Sequence, residues 1–416
     1  MAEHTCSHFS AEPGSVEQAL GALLEGVTPL AGERLALEQA GGRVLADAQI
    51  ARLDVPAFDN SAMDGYALRA ADAGKRLPVS QRIAAGSAPE ALLPGSCARI
   101  FTGAPLPPGA DCVVMQERVE RDGDHAVFPD GLSAGDSIRR RGRDVAYGQE
   151  LLAAGTRLNA AALGHLAGQG IVEVAVRRRP KVALLSTGDE VIDPGTPLGP
   201  GQLYNSNRPM LTRLLESFGA EVVRRVNVPD DVGQTRAIIR EAAEVADVVV
   251  STGGVSVGEE DHVKNALERL GRLDLWRLAI RPGKPLALGR LPKHGGEAKE
   301  GGEARFVGLP GNPVSSFVGA WLFLRPLMGA LTGCAALATL PAMTATADFA
   351  TRTGPRRHYM RAALAFTPQG PVATAFADQN SGVLSSCVDA DVLVDVPPDA
   401  TVAKGDAVTC LWLAGG

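Results

Sequence analysis

The chain has 416 residues, 45% of them hydrophobic, which suffices for substantial cores in roughly two to four domains. A formal charge of −6, 4% aromatic residues and no basic run leave no electrostatic footprint for nucleic acid, so individual cations are expected to serve a small anion. Six scattered cysteines argue for a reducing compartment and against structural zinc; no apolar run reaches about 18 residues and the start lacks a signal pattern, so a cytoplasmic protein without a membrane span is expected.

In chain order, Ser15 to Glu38 reads as an amphipathic helix and Ala161 to Gly168 as a short second one. Between them lies a Gly- and Pro-rich stretch with short strand-like runs, such as Ala98 to Phe101 and Cys112 to Gln116, as in a small β domain inserted into a helical one. The expected boundaries are an elongated N-terminal domain of residues 1–53 plus 146–179 and an inserted β domain of 54–145. Within the insert, Asp59 to Tyr66 packs two carboxylates, an amide and a hydroxyl around Met63 without helical or strand period. That suits a site loop or a capped surface turn.

From 180 to 331 strands and helices alternate. Lys181 to Ser186 reads as a buried strand; Asn207 can cap a helix carrying Leu211, Leu214, Leu215 and Phe218; Glu221 to Val228 is a strand; and Asp231 caps the next helix. Asp247 to Val250 is a buried run, His262 to Leu270 a helix, and Asp274 to Ile280 and Arg305 to Leu309 are further strands. Asp247 reads best as a strand-start residue. The alternation implies a doubly wound parallel sheet, whose ligands bind beyond the carboxyl ends of the strands. Gly295 to Ala298 recurs as Gly301 to Ala304, read as an exposed, dispensable hairpin. Residues 332–416 read as a C-terminal all-β, barrel-like domain, with strands near 344–349, 359–365, 372–375, 392–396 and 408–413.

The predicted strand ends carry the chemistry. Ser251 to Asp261 runs through Gly253, Gly254 and Gly258, which can take positive φ and turn N–H groups toward phosphate, while Thr252 and Ser256 add hydroxyls. Such a loop is equally the form of a plain tight connection. Thr187 to Glu190 and Asp230 fall on the same rim. Arg281-Pro282-Gly283-Lys284-Pro285 fixes two cations in a rigid turn, and Pro310-Gly311-Asn312-Pro313 pairs a helix cap with a first-turn proline, an arrangement suited to an oxyanion.

Asp59 to Ala67, Phe101 to Ala104, Ser186 to Glu190, the Gly-Gly-Val-Ser-Val-Gly loop, Pro282 to Pro285 and Leu309 to Pro313 together resemble, in order, the molybdopterin molybdenumtransferase family, MoeA in bacteria and the E domain of gephyrin in animals. The resemblance implies a four-domain, L-shaped protomer in a homodimer. It implies insertion of molybdate into adenylylated molybdopterin with release of AMP, assisted by Mg²⁺. By the same mapping Asp64 and Thr102 would act across the dimer interface on Glu190, Asp230 and Asp261, with Asp230 and Asp261 as metal carboxylates. Thr252, Gly253, Gly254, Ser256, Gly308, Pro310 and Asn312 would cradle the pterin and nucleotide phosphates. Arg277, Arg281, Lys284, Pro285, Arg356 and Ser381 would bind molybdate. Arg357 and Ser385 compete with Arg356 and Ser381, and Arg277 and Arg281 stand where the family commonly has lysine. The expected protein partners are the adenylyltransferase of the preceding step and recipient molybdoenzymes. A non-catalytic molybdopterin-binding scaffold or carrier is the alternative.

Overall fold

The computed structural model describes residues 14–255, 262–293 and 302–413. A six-stranded sheet forms its centre, in the order Glu221–Val228, Lys181–Thr187, Val248–Thr252, Glu303–Leu309, Pro285–Pro292 and Arg272–Arg277. The first four strands are parallel, and Pro285–Pro292 runs antiparallel to both neighbours. The expected parallel sheet therefore carries an antiparallel strand. The interval from 292 to 303 is too short for the crossover a parallel pair needs, so these strands pair as a hairpin. The first Gly-Gly-Glu-Ala copy lies outside the described residues, but the second is not an exposed tip: Glu303 and Ala304 already belong to the strand Glu303–Leu309, where Ala304 pairs with Leu291 and is fully buried.

Successive side chains of the central strands enter opposite layers. Val182, Leu184, Val248 and Val250 pack with Leu211, Leu214 and Leu215 of the helix Asn207–Ser217. Ala183, Leu185, Val249 and Phe306 instead meet Ile239 and Ala242 of Val232–Val245 and Val263 and Leu267 of His262–Leu270. Each fully buried Val or Leu contributes about 1.5–3 kcal/mol. With helices on both faces, the carboxyl rim of the strands is left open for ligands.

The helix start at Asp231 is as expected: its carboxylate accepts from Gln234 N at 2.7 Å. Asn207 is not a cap. It is the first helical residue, and Asn205 Oδ1 accepts from Arg208 N at 3.0 Å instead. Pro313–Gly319 leads through a π turn at Ala320–Leu324 into Arg325–Thr332. Pro326 has no N–H to bond back to Leu322, so the wider turn falls just before it. By length and composition Pro313–Thr332 could cross a membrane, with a mean hydropathy of 1.4, but 94% of its most apolar window is buried inside the protein. It is a core helix, with Trp321 edge-on to Phe218 at 5.1 Å.

The amphipathic helix expected over Ser15 to Glu38 is shorter. It spans Val16–Leu24, then Gly26 takes φ 65° and the chain re-forms as the strand Gly32–Ala36 against Glu173–Arg177. Glycine and Pro29 break the helical run that the apolar spacing alone suggests. The region expected to be helical is thus mostly paired strands, with Ala160–Ala167 as its second helix. Val16, Ala19 and Leu23 pack under the central sheet.

Two further β units flank the sheet. In one, Cys112–Met115, Gly65–Leu68, Cys97–Ile100, Arg76–Ile83, His125–Val127 and Glu120–Asp122 form a six-stranded sheet. In the other, Arg357–Thr367, Gly370–Ala375, Ala342–Ala347, Ala407–Trp412 and Val392–Val396 close into a five-stranded barrel, since the first and last also pair. Ile280–Arg281 adds to the barrel parallel to Arg357–His358, which anchors the Arg281 to Pro285 turn beside it. The five described cysteines are free thiols.

Candidate functional site

Two adjoining cavities open at the carboxyl rim of the central sheet. The larger, about 660 Å³, has Glu190, Asp230, Thr252, Gly253, Gly254 and Asn312 in its wall. The second, about 360 Å³, is lined by Lys284, Pro285, Pro310, Asn312 and Ser381 among others. Gly253, Gly254, Gly311 and Asn312 belong to both, so the glycine loop and the Asn312 turn form a shared partition.

The partition has little freedom. Gly253 and Gly254 sit at φ 85° and 64°, and a Cβ on them would fall 2.5 Å from Thr187 Oγ1 and 2.5 Å from Val263 Cγ2. Only glycine fits. Gly253 N donates to Leu309 O at 2.9 Å, so this N–H is spent inside the fold and is not the free phosphate donor the sequence suggests. Asn312 occupies the helix N-cap position without making the side-chain cap bond, which leaves its carboxamide for the cavities. Gly308 lies in neither wall: a Cβ there would be 2.3 Å from Val255 Cγ1, so its role is close packing. Ser256 and Asp261 lie outside the described residues.

Charge is sorted across the partition. Glu190 and Asp230 are exposed and have no ion-pair partner among the described residues. Lys284, Arg281, Arg277 and Arg356 are likewise unpaired among them. Lys284 lines the smaller of the two cavities, and the three arginines line neither. Arg281 and Arg356 both act electrostatically on His358, and Arg277 is the register partner of Pro285.

The barrel separates the competing residues. Arg357 is locked to Asp395 through both Nε, at 2.6 Å, and Nη2, and its Nη1 donates to Glu17 at 2.5 Å. Of the two, Arg356 has no ion pair among the described residues. Ser381 lines the smaller cavity, whereas Ser385, the first residue of the short helix Ser385–Val388, is not part of its wall.

Three residues matter here that the sequence did not single out. Arg361 is fully buried, and its guanidinium donates to Ser386 Oγ at 3.0 Å and to the carbonyls of Gln379, Asp378 and Asn380 at 3.1, 3.2 and 3.1 Å. It thereby fixes the loop that carries Ser381. His358 is buried with Nε2 unpartnered; burial, then the charges of Arg281, Arg361 and Arg356, push its pKa down to about 4. Arg178 holds Asp247 through bonds of 2.7 and 2.8 Å; burial opposes ionisation, but Arg178 and Lys181 N hold the carboxyl below its usual range. Asp247 is thus a structural anchor at the strand start, as read. An arginine in a charged run gives no sequence sign of such a partner.

Asp64 and Thr102 lie in neither cavity. They meet each other: Asp64 Oδ1 accepts from Thr102 N at 2.8 Å and from Thr102 Oγ1 at 2.7 Å. Among the described residues no group of three His, Cys, Asp or Glu is placed to hold a metal.

Three family models cover nearly all of the chain: MoeA N-terminal region (domain I and II) over residues 14–170, probable molybdopterin binding domain over 183–330, and MoeA C-terminal region (domain IV) over 344–413. The molybdopterin molybdenumtransferase of Haemophilus influenzae is 40% identical over 77% of this chain and 78% of its own length. Molybdopterin molybdenumtransferase 2 of Mycobacterium tuberculosis is 36% identical over 90% and 93%. The chain belongs to the molybdopterin molybdenumtransferase family. Two crystal structures of the molybdopterin biosynthesis MoeA protein of Pyrococcus horikoshii agree with its fold at TM-scores of 0.79 and 0.80. They are 30% and 27% identical to it, covering 97% and 96% of this chain and 100% of theirs. Of the expected site residues, Glu190, Asp230, Thr252, Gly253, Gly254, Lys284, Pro285, Pro310, Asn312 and Ser381 line the paired cavities, whereas Asp64, Thr102, Gly308, Arg277, Arg281 and Arg356 do not.

Proposed function

We propose that the chain transfers molybdenum to molybdopterin, taking molybdate and adenylylated molybdopterin and releasing AMP, a step of molybdenum cofactor biosynthesis. The observation that carries this reading is the partition itself: one glycine and asparagine wall divides a carboxylate-bearing cleft from a lysine-bearing cavity. A nucleotide phosphate and an oxyanion can thus be held side by side, and reactants fixed in register gain most of the advantage that orientation gives. The names of the relatives favour an enzyme over a scaffold.

In this reading Lys284 and Ser381 hold the molybdate dianion, with Arg281 and Arg356 adding positive potential, since charge-assisted bonds suit a tetrahedral oxyanion. Thr252 and the Asn312 carboxamide orient the phosphates. Glu190 and Asp230, exposed carboxylates in the wall of the larger cleft without ion pairs among the described residues, are the hard oxygen donors Mg²⁺ takes, so they fit as its holders; Asp261 is added by the family resemblance alone. Bound there, Mg²⁺ would neutralise charge developing on the phosphate that separates from AMP. The exposed Asp64 and Thr102 pair supports a homodimer in which each insert completes its partner's cleft, and exposed Phe58 and Met63 on the insert, with Ile50 and Leu53 just before it, supply apolar surface for it.

The test is AMP release from adenylylated molybdopterin with and without molybdate. AMP and metal-loaded pterin should appear together, and release that is indifferent to molybdate would refute transfer.

A further inference from the structure

The loop that carries Ser381 is held by a buried cation. Arg361, on the barrel strand Arg357–Thr367, is 0% exposed and has no ion pair among the described residues. Its guanidinium spends its donors on one segment, reaching the carbonyls of Asp378, Gln379 and Asn380 and the hydroxyl of Ser386. Burying a charge without a counter-charge is costly, and a leucine or methionine would fill the space without that cost. What an apolar side chain cannot do is gather three successive carbonyls, as the planar fork of arginine does. Gln379 closes the lock from the other side: its Oε1 accepts from Arg361 N at 3.0 Å and its Nε2 donates to Arg361 O at 2.9 Å.

Ser381 is thus pinned on one side through Asn380. On the other, its own carbonyl accepts from Val314 N at 3.1 Å, in the first turn of the helix Pro313–Gly319. The same helix start braces the Lys284 turn. Gly283 sits at φ 85°, and a Cβ there would fall 3.2 Å from Ser315 Cβ, so the turn lies against Ser315 with no slack. Lys284 and Ser381 therefore line the smaller cavity from backbone referred to one helix start, and the span between them does not adjust to its occupant. A tetrahedral dianion large enough to reach both keeps two charge-assisted bonds, whereas a smaller one of the same charge and shape keeps one. Charge cannot tell the two apart, but a rigid span can.

We propose that Arg361 is a positioning residue for oxyanion selection: by holding Ser381 at a fixed span from Lys284, it makes the smaller cavity favour molybdate over sulfate, the smaller tetrahedral dianion. The identity of the favoured oxyanion rests on the molybdenum-transfer reading. Arg361 is not part of the cavity wall and acts through Ser381.

The test is equilibrium dialysis of the full chain against labelled molybdate, with sulfate as competitor. The native protein should bind molybdate at least tenfold more tightly than sulfate. Arg361→Lys keeps the buried charge and loses the fork, so it should weaken molybdate at least tenfold and change sulfate by less than twofold, which removes the preference. Gln379→Ala leaves the cation in place and opens the lock at a half-buried residue. It should reduce the preference at least threefold, and it decides the matter if Arg361→Lys does not fold. A purely structural role would lower the bound fraction of both anions together and keep their ratio at the native value. Variants that keep the native ratio, or a native protein that binds the two anions alike, overturn the proposal. Binding is read without turnover, so AMP release that is indifferent to molybdate would remove the proposed function and leave the selectivity result standing.

Discussion

Thr102 places both its backbone N–H and its hydroxyl on one oxygen of Asp64, at 2.8 and 2.7 Å. Both bonds favour the carboxylate, the backbone bond most and then the hydroxyl, and they hold Asp64 below the usual aspartate range. Thr102→Val keeps the first bond and loses the second. The Asp64 pKa should move up, and the acid limb of a pH profile of AMP release should move up with it. An unmoved acid limb would detach Asp64 ionisation from the reaction.

The same pair lies outside both cavities, while Asp230 lies inside one. In the proposed homodimer, mixing inactive Asp64→Ala with inactive Asp230→Ala subunits should restore part of the activity, because one of the two clefts in a mixed dimer would keep every group. Subunit exchange is followed by native mass spectrometry. Exchange without recovered AMP release would place Asp64 in the service of its own chain or of none.

Much of the central unit was legible because its signals are local. Lys181 to Ser186 and Glu221 to Val228 are continuous or alternating apolar runs, and Asp231 sits at a helix start with nothing else to bond. Asn207 looked the same but was displaced from the cap by Asn205, and only the fold, which brings Gly311 to its Nδ2, shows what Asn207 does instead. Likewise the sequence could not rank Arg356 against Arg357. The difference is Asp395, 38 residues away in sequence from Arg357 and adjacent across the barrel.

His358 should give stability a pH dependence of its own. Its folded pKa, about 4, lies below the ordinary value of 6.5, chiefly through burial and then through Arg281, Arg361 and Arg356. The unfolded chain therefore binds the proton first. The stability His358 contributes is whole above about pH 6.5 and falls as pH drops toward about 4, by up to roughly 3 kcal/mol. His358→Leu should flatten this window in urea midpoints measured between pH 4 and 7, and saturating molybdate should narrow it in the native protein by offsetting the cations. An unchanged slope in the variant would assign the acid sensitivity elsewhere.

Arg356 and Arg357 should separate cleanly into binding and stability. Arg357 bridges Asp395, whose side chain is 9% exposed, and Glu17 on the helix that packs under the central sheet, so Arg357→Ala leaves a nearly buried carboxylate unpaired. Loss of one partner of such a pair costs about 3 kcal/mol. Its urea midpoint should fall, while the molybdate concentration for half-maximal AMP release stays near native in the protein that remains folded. Arg356→Ala should do the reverse, because Arg356 has no ion pair among the described residues and contributes its charge, which is felt at His358. Its stability should stay within about 0.5 kcal/mol of native, with the half-maximal molybdate concentration raised about tenfold or more, and with binding of the pterin unaffected. Arg281→Ala should follow Arg356→Ala, and Arg281→Lys should be mild, since the potential survives the exchange even though the fork of donors does not. If Arg357→Ala shifts the molybdate response and Arg356→Ala does not, the oxyanion lies on the other side of the strand and Lys284 faces a different ligand.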